Sequence, residues 1–367
     1  MLLIKVSRDA LLKPLATCVG IVERRHTLPI LANVLLKKEG DQLHFLATDV
    51  EIQIATQATT QAGENVSTTV AARKLLDIVR ALPEGNEVSL NLDDKKLTIL
   101  SGKSRTSIQT LDAQDFPSMT VPQEWAANWS MSQKNLKNLF AQVFFSMAQQ
   151  DIRYYLNGLL LVADGAMVKA VATDGHRLAY CEHAIDANIQ KIDVIIPRKT
   201  VLEMMRQLDD SDALVEISLS TTMVQFKFSD NLLVSKLIEG KFPDFNKVIP
   251  KNHPKSFEIA RSTLQSALQR VAILTTDKFK GVRLELADST LTVSASNADQ
   301  EDSMDELDIE YTGDGIDIGF NVTYLLDLLA NIKTDQIKLH FNDSNASALF
   351  TLPGEESFKY VVMPMRI

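Results

Sequence analysis

One pattern occurs three times along the chain, and that repetition narrows the possible folds more than any other feature. The stretches VSRDALLKPLATCV from Val6, MSQKNLKNLFAQV from Met131 and IARSTLQSALQRV from Ile259 begin 125 and 128 residues apart. Each spaces its apolar residues three or four apart: Leu11, Leu15 and Cys18, then Leu136, Phe140 and Val143, then Leu264, Leu268 and Val271. That spacing makes the buried stripe of an amphipathic helix. A second helical pattern follows in each third, RKLLDIVRAL from Arg73, RKTVLEMMRQL from Arg198 and VTYLLDLLANI from Val322. Two helix patterns returning at one period indicate a single supersecondary unit in triplicate.

The sequence between the helices is strand-like. EVSLNLDDKKLTILSG, LVEISLSTTMVQFKFSD and QIKLHFNDSNASALFTL each place two alternating segments around a polar turn, the signature of a hairpin. The string ATD occurs at Ala47 to Asp49 and again at Ala172 to Asp174, and DFPSM at 115–119 answers KFPDF at 241–245. Each third therefore predicts helix, strands, helix, strands: an α+β arrangement of two helices packed on antiparallel sheet. The expected domains are 1–125, 126–253 and 254–367.

Net charge alone misleads here. The chain holds 38 basic and 47 acidic residues, a formal −9. Yet of six predicted helical segments (7–18, 72–82, 132–145, 198–208, 261–271 and 322–332), five are net positive, which leaves the strands and loops strongly acidic. With the helices on one side of a sheet, such a chain has a basic face that attracts phosphates whatever its total charge. Contacts of that kind read the nucleic-acid backbone rather than base sequence. Two cysteines, Cys18 and Cys181, supply no disulfide framework, and both are expected to be buried. The start has no signal-peptide pattern, and no uncharged apolar run approaches the ~18 residues of a membrane helix. The expectation is a cytoplasmic protein without membrane association.

Motifs for catalysis are weak. SGKS at 101–104 lacks the upstream glycine of a phosphate-binding loop, because position 97 is Leu, and it reads as strand. The six histidines are scattered without metal-ligand spacing, and no cofactor is expected. In TDGHR at 173–177, Asp174 could orient His176, but neither flank supplies a nucleophile. The acidic run Asp299, Glu301, Asp302, Asp305 and Glu306 could be a metal site, a solvated face, or a rim facing basic residues of another subunit such as Lys103, Arg105 and Arg270. The chain closes on YVVMPMRI, a strand followed by an adaptable, Met-rich apolar segment that suits either packing or peptide binding.

Several long strings in order, RRHTLPILANVLL, QDIRYYLNG, VATDGHRLA, GKFPDF, KFKGVRL and YVVMPMR, closely resemble the bacterial DNA polymerase III beta subunit family of sliding clamps. The resemblance runs the whole length. It implies a non-catalytic head-to-tail homodimer whose six similar domains form a ring around duplex DNA, tethering the replicative polymerase. It further implies DNA contacts at Arg25, Arg73, Gln150, Tyr154, Tyr155, Arg198 and Lys199. A partner-peptide pocket is implied at Leu156, Thr173, Gly175, His176, Arg177, Leu178, Pro243, Val248, Asn321, Tyr324, Ser347, Val361, Met363, Pro364, Met365 and Arg366. Its users would be the polymerase catalytic subunit, the clamp loader, and other polymerases and repair proteins. The implied dimer interface comprises Lys103, Arg105, Thr106, Ile108, Arg270, Ile273, Leu274, Glu301, Asp302 and Asp305. Thr106 departs from an aromatic and Asn345 from an apolar pocket residue in a familiar relative. The alternatives are an interaction hub serving mainly repair or loader proteins, and, more remotely, a hydrolase-like enzyme using Asp174 and His176.

Overall fold

In a computed structural model of the chain, the residues described are 1–367 apart from 24–27, 61–62, 252 and 277–278. The first third runs β1 (Leu2–Ser7), α1 (Arg8–Val19), β2 (Asn33–Glu39), β3 (Gln42–Thr48), β4 (Ile52–Thr59), β5 (Val66–Ala71), α2 (Ala72–Ala81), β6 (Glu87–Asp93), β7 (Lys96–Ser101) and β8 (Ser104–Leu111). The second runs β9 (Ala127–Ser132), α3 (Gln133–Ala141), β10 (Gly158–Thr173), β11 (Arg177–Pro197), α4 (Arg198–Gln207), β12 (Leu214–Leu219), β13 (Met223–Phe228) and β14 (Asn231–Lys236). The third runs β15 (Lys255–Ala260), α5 (Arg261–Val271), β16 (Gly281–Ala287), β17 (Thr290–Ser296), β18 (Asp302–Asp308), β19 (Ile316–Asn321), α6 (Val322–Asn331), β20 (Gln336–Phe341), β21 (Ala348–Leu352) and β22 (Glu355–Val362). In the middle repeat two long strands stand where the others have four short ones.

Each repeat opens on a strand, not on the helix that the sequence pattern suggests. The cause is visible in β9, whose residues alternate buried and exposed up to the helix start, a period-2 signal too short to stand out beside the longer helical one. The third helix is also shorter than the expected 132–145. It stops at Ala141 and tightens, Val143 N–H bonding Phe140 O at 3.1 Å and Ser146 N–H bonding Val143 O at 3.0 Å. Carbonyls of this tightened stretch also receive arginines: Arg198 Nη1 donates to Phe144 O (3.2 Å) and Arg177 Nη2 to Phe145 O (2.7 Å).

The chain forms two compact units. One contains Met1–Lys134 with Glu203–Leu237, the other Asn135–Leu202 with Ile238–Ile367. The first carries a twelve-stranded sheet in the order β1-β6-β7-β8-β5-β2-β3-β4-β14-β13-β12-β9. Its middle is continuous because β14 pairs antiparallel with β4, Leu233 opposite Ile54. The second unit carries a six-stranded sheet, β10-β11-β22-β21-β20-β15, and a four-stranded sheet, β18-β17-β16-β19. There β22 pairs antiparallel with β11, Ala179 opposite Tyr360.

Helix placement repeats as well. Arg8, buried at the start of α1, donates to Val79 O (3.2 Å) and Arg80 O (2.9 Å) at the end of α2. Arg261 at the start of α5 does the same for Leu329 O (3.1 Å) near the end of α6. Helix C-termini leave carbonyls without partners, and a guanidinium satisfies them with favourable charge. SGKS is the tight link of the β7–β8 hairpin, Ser101 pairing with Ser104 and Gly102 taking φ +55°. Both thiols are free and buried.

Candidate functional site

The ATD string marks a turn built twice from the same bonds. In the first repeat, Thr48 Oγ1 donates to Ile52 O (2.9 Å) and accepts from Val50 N–H, while Asp49 Oδ1 accepts the Glu51 and Ile52 amides. In the second, Thr173 Oγ1 donates to Arg177 O (2.6 Å) and accepts from Gly175 N–H, while Asp174 Oδ1 accepts the His176 and Arg177 amides. Asp174 thus shapes a turn: it holds the backbone of His176 rather than serving as the middle of a triad. Gly175 sits at φ +92°, which favours glycine, and a Cβ there would lie 2.8 Å from Arg153 Nη1 and push that guanidinium aside.

From this turn an apolar cavity of about 370 Å³ opens. Leu156, Thr173, Gly175, His176, Arg177, Leu178, Pro243, Val248, Ser347, Val361 and Met363 line it, together with Arg153, Tyr155, Phe242, Phe245 and Lys247. Its floor is the buried cluster of Leu156, Val171, Leu178, Tyr180, Phe242 and Val361. A concave apolar surface with a few fixed polar groups suits a short peptide or small ligand. Met363 is half-exposed at the rim, its amide bonded to His176 O at 2.9 Å.

Behind the wall lies a charged anchor. Arg177 has a nearly buried side chain and donates from Nε to Asp174 Oδ2 (3.0 Å), from Nη1 to Asp327 Oδ2 (2.6 Å) and from Nη2 to Phe145 O. Its guanidinium also lies 4.5 Å from the Tyr324 ring centre. At the opposite rim Arg153 forks onto Asp151 and reaches Asp174 O (3.1 Å). The Arg153 hydrogen bonds hold the Asp151 carboxyl down at about 2. Burial pushes the Cys181 thiol up to about 12 and raises that of Cys18 further, which makes both poor nucleophiles.

Other expected pocket residues lie off this cavity. Tyr324 stacks under Arg177, Asn321 caps α6 through Thr323 N–H (2.9 Å), and the Met365 amide bonds Gly319 O at 2.9 Å. Pro364 and Arg366 flank Met365 without lining the cavity, and Asn345 is exposed in a turn held by Asp343. The lining residues missing from the sequence reading, Arg153, Phe242, Phe245 and Lys247, fall in or beside the strings QDIRYYLNG and GKFPDF. Those strings carried the signal without saying which side chains turn inward.

Among the expected DNA contacts, Gln150 and Tyr154 are exposed, whereas Tyr155 lines the cavity. Arg73 and Arg198 are half-buried, Arg73 donating to Val22 O (2.8 Å) and Arg198 to Phe144 O. Lys199 is half-exposed at the start of α4, and Arg25 lies outside the described residues.

Two strands with a largely unpaired side, β8 and β18, differ in charge. β8 pairs with β7 along its length but reaches β5 only through Thr110 and Leu111, leaving Arg105 and Thr106 exposed and Ile108 half-buried, with Lys103 exposed just before it. β18 is the edge of the four-stranded sheet, and it presents Asp302, Asp305 and Glu306 beside Glu301. One edge is basic and the other acidic. Ile273 is 79% exposed, and Leu274 lines a second apolar cavity of about 440 Å³ with Phe279 and Ile367. Within its own chain the last turn of α5 faces β18, and Arg270 Nε pairs with Asp305 Oδ2 at 2.7 Å.

The chain thus combines one α+β unit in triplicate, strand edges of opposite charge and an apolar groove. Residues 2–120, 130–244 and 246–366 match, in order, the N-terminal, central and C-terminal domains of the DNA polymerase III beta subunit. The beta sliding clamp of Pseudomonas aeruginosa is 42% identical over 366 residues, covering 99% of both chains, and that of Escherichia coli K12 is 40% identical over 365, also covering 99% of both. A crystal structure of the P. aeruginosa clamp bound to griselimycin superposes with TM-score 0.96 at 41% identity, covering all of both chains. The Caulobacter crescentus pol III beta structure gives 0.93 at 35%, covering 99% of this chain and all of that one. The chain belongs to the DNA polymerase III beta subunit family, the sliding clamps of DNA replication.

Proposed function

We propose that two copies of this chain, each read as domains 1–125, 126–253 and 254–367, join head to tail into a ring that encircles duplex DNA. The observation that carries this reading is the pair of largely unpaired strand sides, on β8 and β18. Strand β8, flanked by Lys103 and Arg105, meets β18 of a second copy with Glu301, Asp302 and Asp305, while Ile108 approaches Ile273 and Leu274. Strand addition supplies backbone bonds, and the charges fix direction. A heterologous contact of this kind must close on itself or propagate.

Retention on DNA is then topological, and the contacts of Arg25, Arg73, Gln150, Tyr154, Arg198 and Lys199 with phosphates are weak enough to permit sliding. No bond in the DNA is made or broken. The cavity beside Arg177 receives short apolar segments of the replicative polymerase, the clamp loader and repair proteins, in the cytoplasm. This reading is supported by the apolar floor, the pre-shaped turn at Thr173–Arg177 and the Met363 rim. The test is to load the protein onto nicked circular DNA with a clamp loader and then to linearise the circle. Loss from the ends after the cut is expected. Retention on linear DNA would sink the ring.

A further inference from the structure

Equivalent helix positions in the three repeats differ in burial, and the differences share one arrangement. In α4, Glu203 is 5% exposed and Met204 fully buried. Glu203 pairs with Arg206 at 2.6 Å, and Arg206 Nη2 goes on to Ala16 O (3.3 Å) and Thr17 O (3.2 Å) at the end of α1. A carboxylate on the second helix of one repeat thus holds a guanidinium that caps the first helix of the preceding repeat. The next junction uses the same parts from a different source: Asp327 of α6 holds Arg177, which donates to Phe145 O just past α3.

Among the described residues, the first repeat carries those parts with nothing to cap. Asp77 and Arg80 of α2 match Glu203 and Arg206 at an offset of 126, and they form the same i,i+3 pair at 3.7 Å. Their side chains are 72% and 62% exposed, and Ile78, the counterpart of buried Met204, is only half-buried. The third repeat has the complementary gap. Gln269 and Arg270 at the end of α5 match Ala16 and Thr17, yet both are exposed where Thr17 is buried. Where Gln207 of α4 meets Thr17 O (3.1 Å), α2 has the small Ala81, leaving room for the larger Arg270.

We infer that the α2 end of one copy packs on the α5 end of a second copy, with Arg80, held by Asp77, capping the carbonyls of Gln269 and Arg270. This extends the head-to-tail reading above and rests on it. Charges along the seam then alternate, Asp77, Arg80, Asp305 and Arg270, so the two arginines do not meet unscreened. Helix C-termini favour such a cation, and a forked guanidinium can hold a carboxylate and a carbonyl together where a lysine cannot. Ile273 stands at the Gly20 position, where a Cβ would lie 1.8 Å from Arg206. Arg80 therefore approaches the helix end from further out than Arg206 does, with Ile273 packed toward Ile78.

Sedimentation equilibrium of the full chain tests this. The wild type is expected to be a dimer, and Arg80→Ala to raise its dissociation constant at least about tenfold, or about 1.4 kcal/mol, since a closed dimer contains the contact twice. Arg80→Lys should fall between the two. In a second measurement, Asp77→Cys combined with Gln269→Cys is treated with a short bismaleimide, and a covalent dimer is expected because Cys18 and Cys181 are buried. If the wild type dimerises but Arg80→Ala dissociates no more readily, or the cysteine pair yields no covalent dimer, the seam is overturned and the ring reading stands. A wild type that stays monomeric at all concentrations overturns the ring reading itself.

Discussion

Replacing Arg177 by Gln should loosen the second unit while leaving the first untouched. The guanidinium makes ion pairs at 3.0 and 2.6 Å and a carbonyl bond at 2.7 Å, with only 9% of the side chain exposed. Breaking a buried pair by removing one partner typically costs about 3–5 kcal/mol. Asp174 and Asp327 keep 16% and 37% of their side-chain exposure, so both can be partly rehydrated, and a value near the lower end, about 3 kcal/mol, is expected. Because the chain has two compact units, one global unfolding free energy would blur the effect. Native-state hydrogen exchange resolves it by segment. Amides of β11, β22 and α6 should exchange roughly a hundredfold faster in the variant, and those of β2, β3 and β6 at their original rates. Affinity for a partner peptide should fall in parallel, because Arg177 lines the cavity it anchors. A change below about fivefold in β11 and β22, or an equal change in both units, would refute the assignment of Arg177 as the local anchor.

Other outcomes follow from the same geometry. Burial, the adjacent His253 ring and Lys338 lower His340 from 6.5 to about 4. The unfolded chain therefore binds the extra proton first, so the stability due to neutral His340 is complete above pH 6.5 and drains away as pH falls toward 4. The ring is only about half-buried, so screening reduces this to about 1–2 kcal/mol, and His340→Gln should flatten that part of a denaturation profile. Gly20→Ala should displace Arg206 from the α1 carbonyls and cost about 1–2 kcal/mol, measured by hydrogen exchange in α1. The cost should largely vanish when Arg206→Ala is already present. Both thiols should resist iodoacetamide at pH 8 in the native protein and react promptly in denaturant.

The repeat, both helices of each third and the hairpins were legible because helix and strand periods are local and survive divergence. The first strand of each repeat was not, since six alternating residues before a helix look like its leading edge. The compact units could not be read at all: β14 on β4 and β22 on β11 are pairings between repeats, and nothing local in either strand announces its partner. For the site, strings such as VATDGHRLA hold residues that line one cavity, yet the bonds that make Asp174 a turn former rather than an acid appear only when Thr48 and Asp49 are seen making them too. Arg73 and Arg198 show the converse limit. A basic residue at a helix start reads as free charge, whereas here each guanidinium is engaged with a backbone carbonyl. The sixth helix, α6, carries Asp327 as its sole charge, so the basic character of the helices is a tendency of the first five.

The duplicated Thr–Asp turn bears on how quickly the groove can act. Its side chains saturate the loop's own amides, so the rim at Thr173–Arg177 has its shape before any visitor arrives. Ordering a loop on binding can cost about 0.5–1.5 kcal/mol per immobilised side chain, and here that cost was met when the chain folded. A short, floppy peptide then has only its own disorder to overcome.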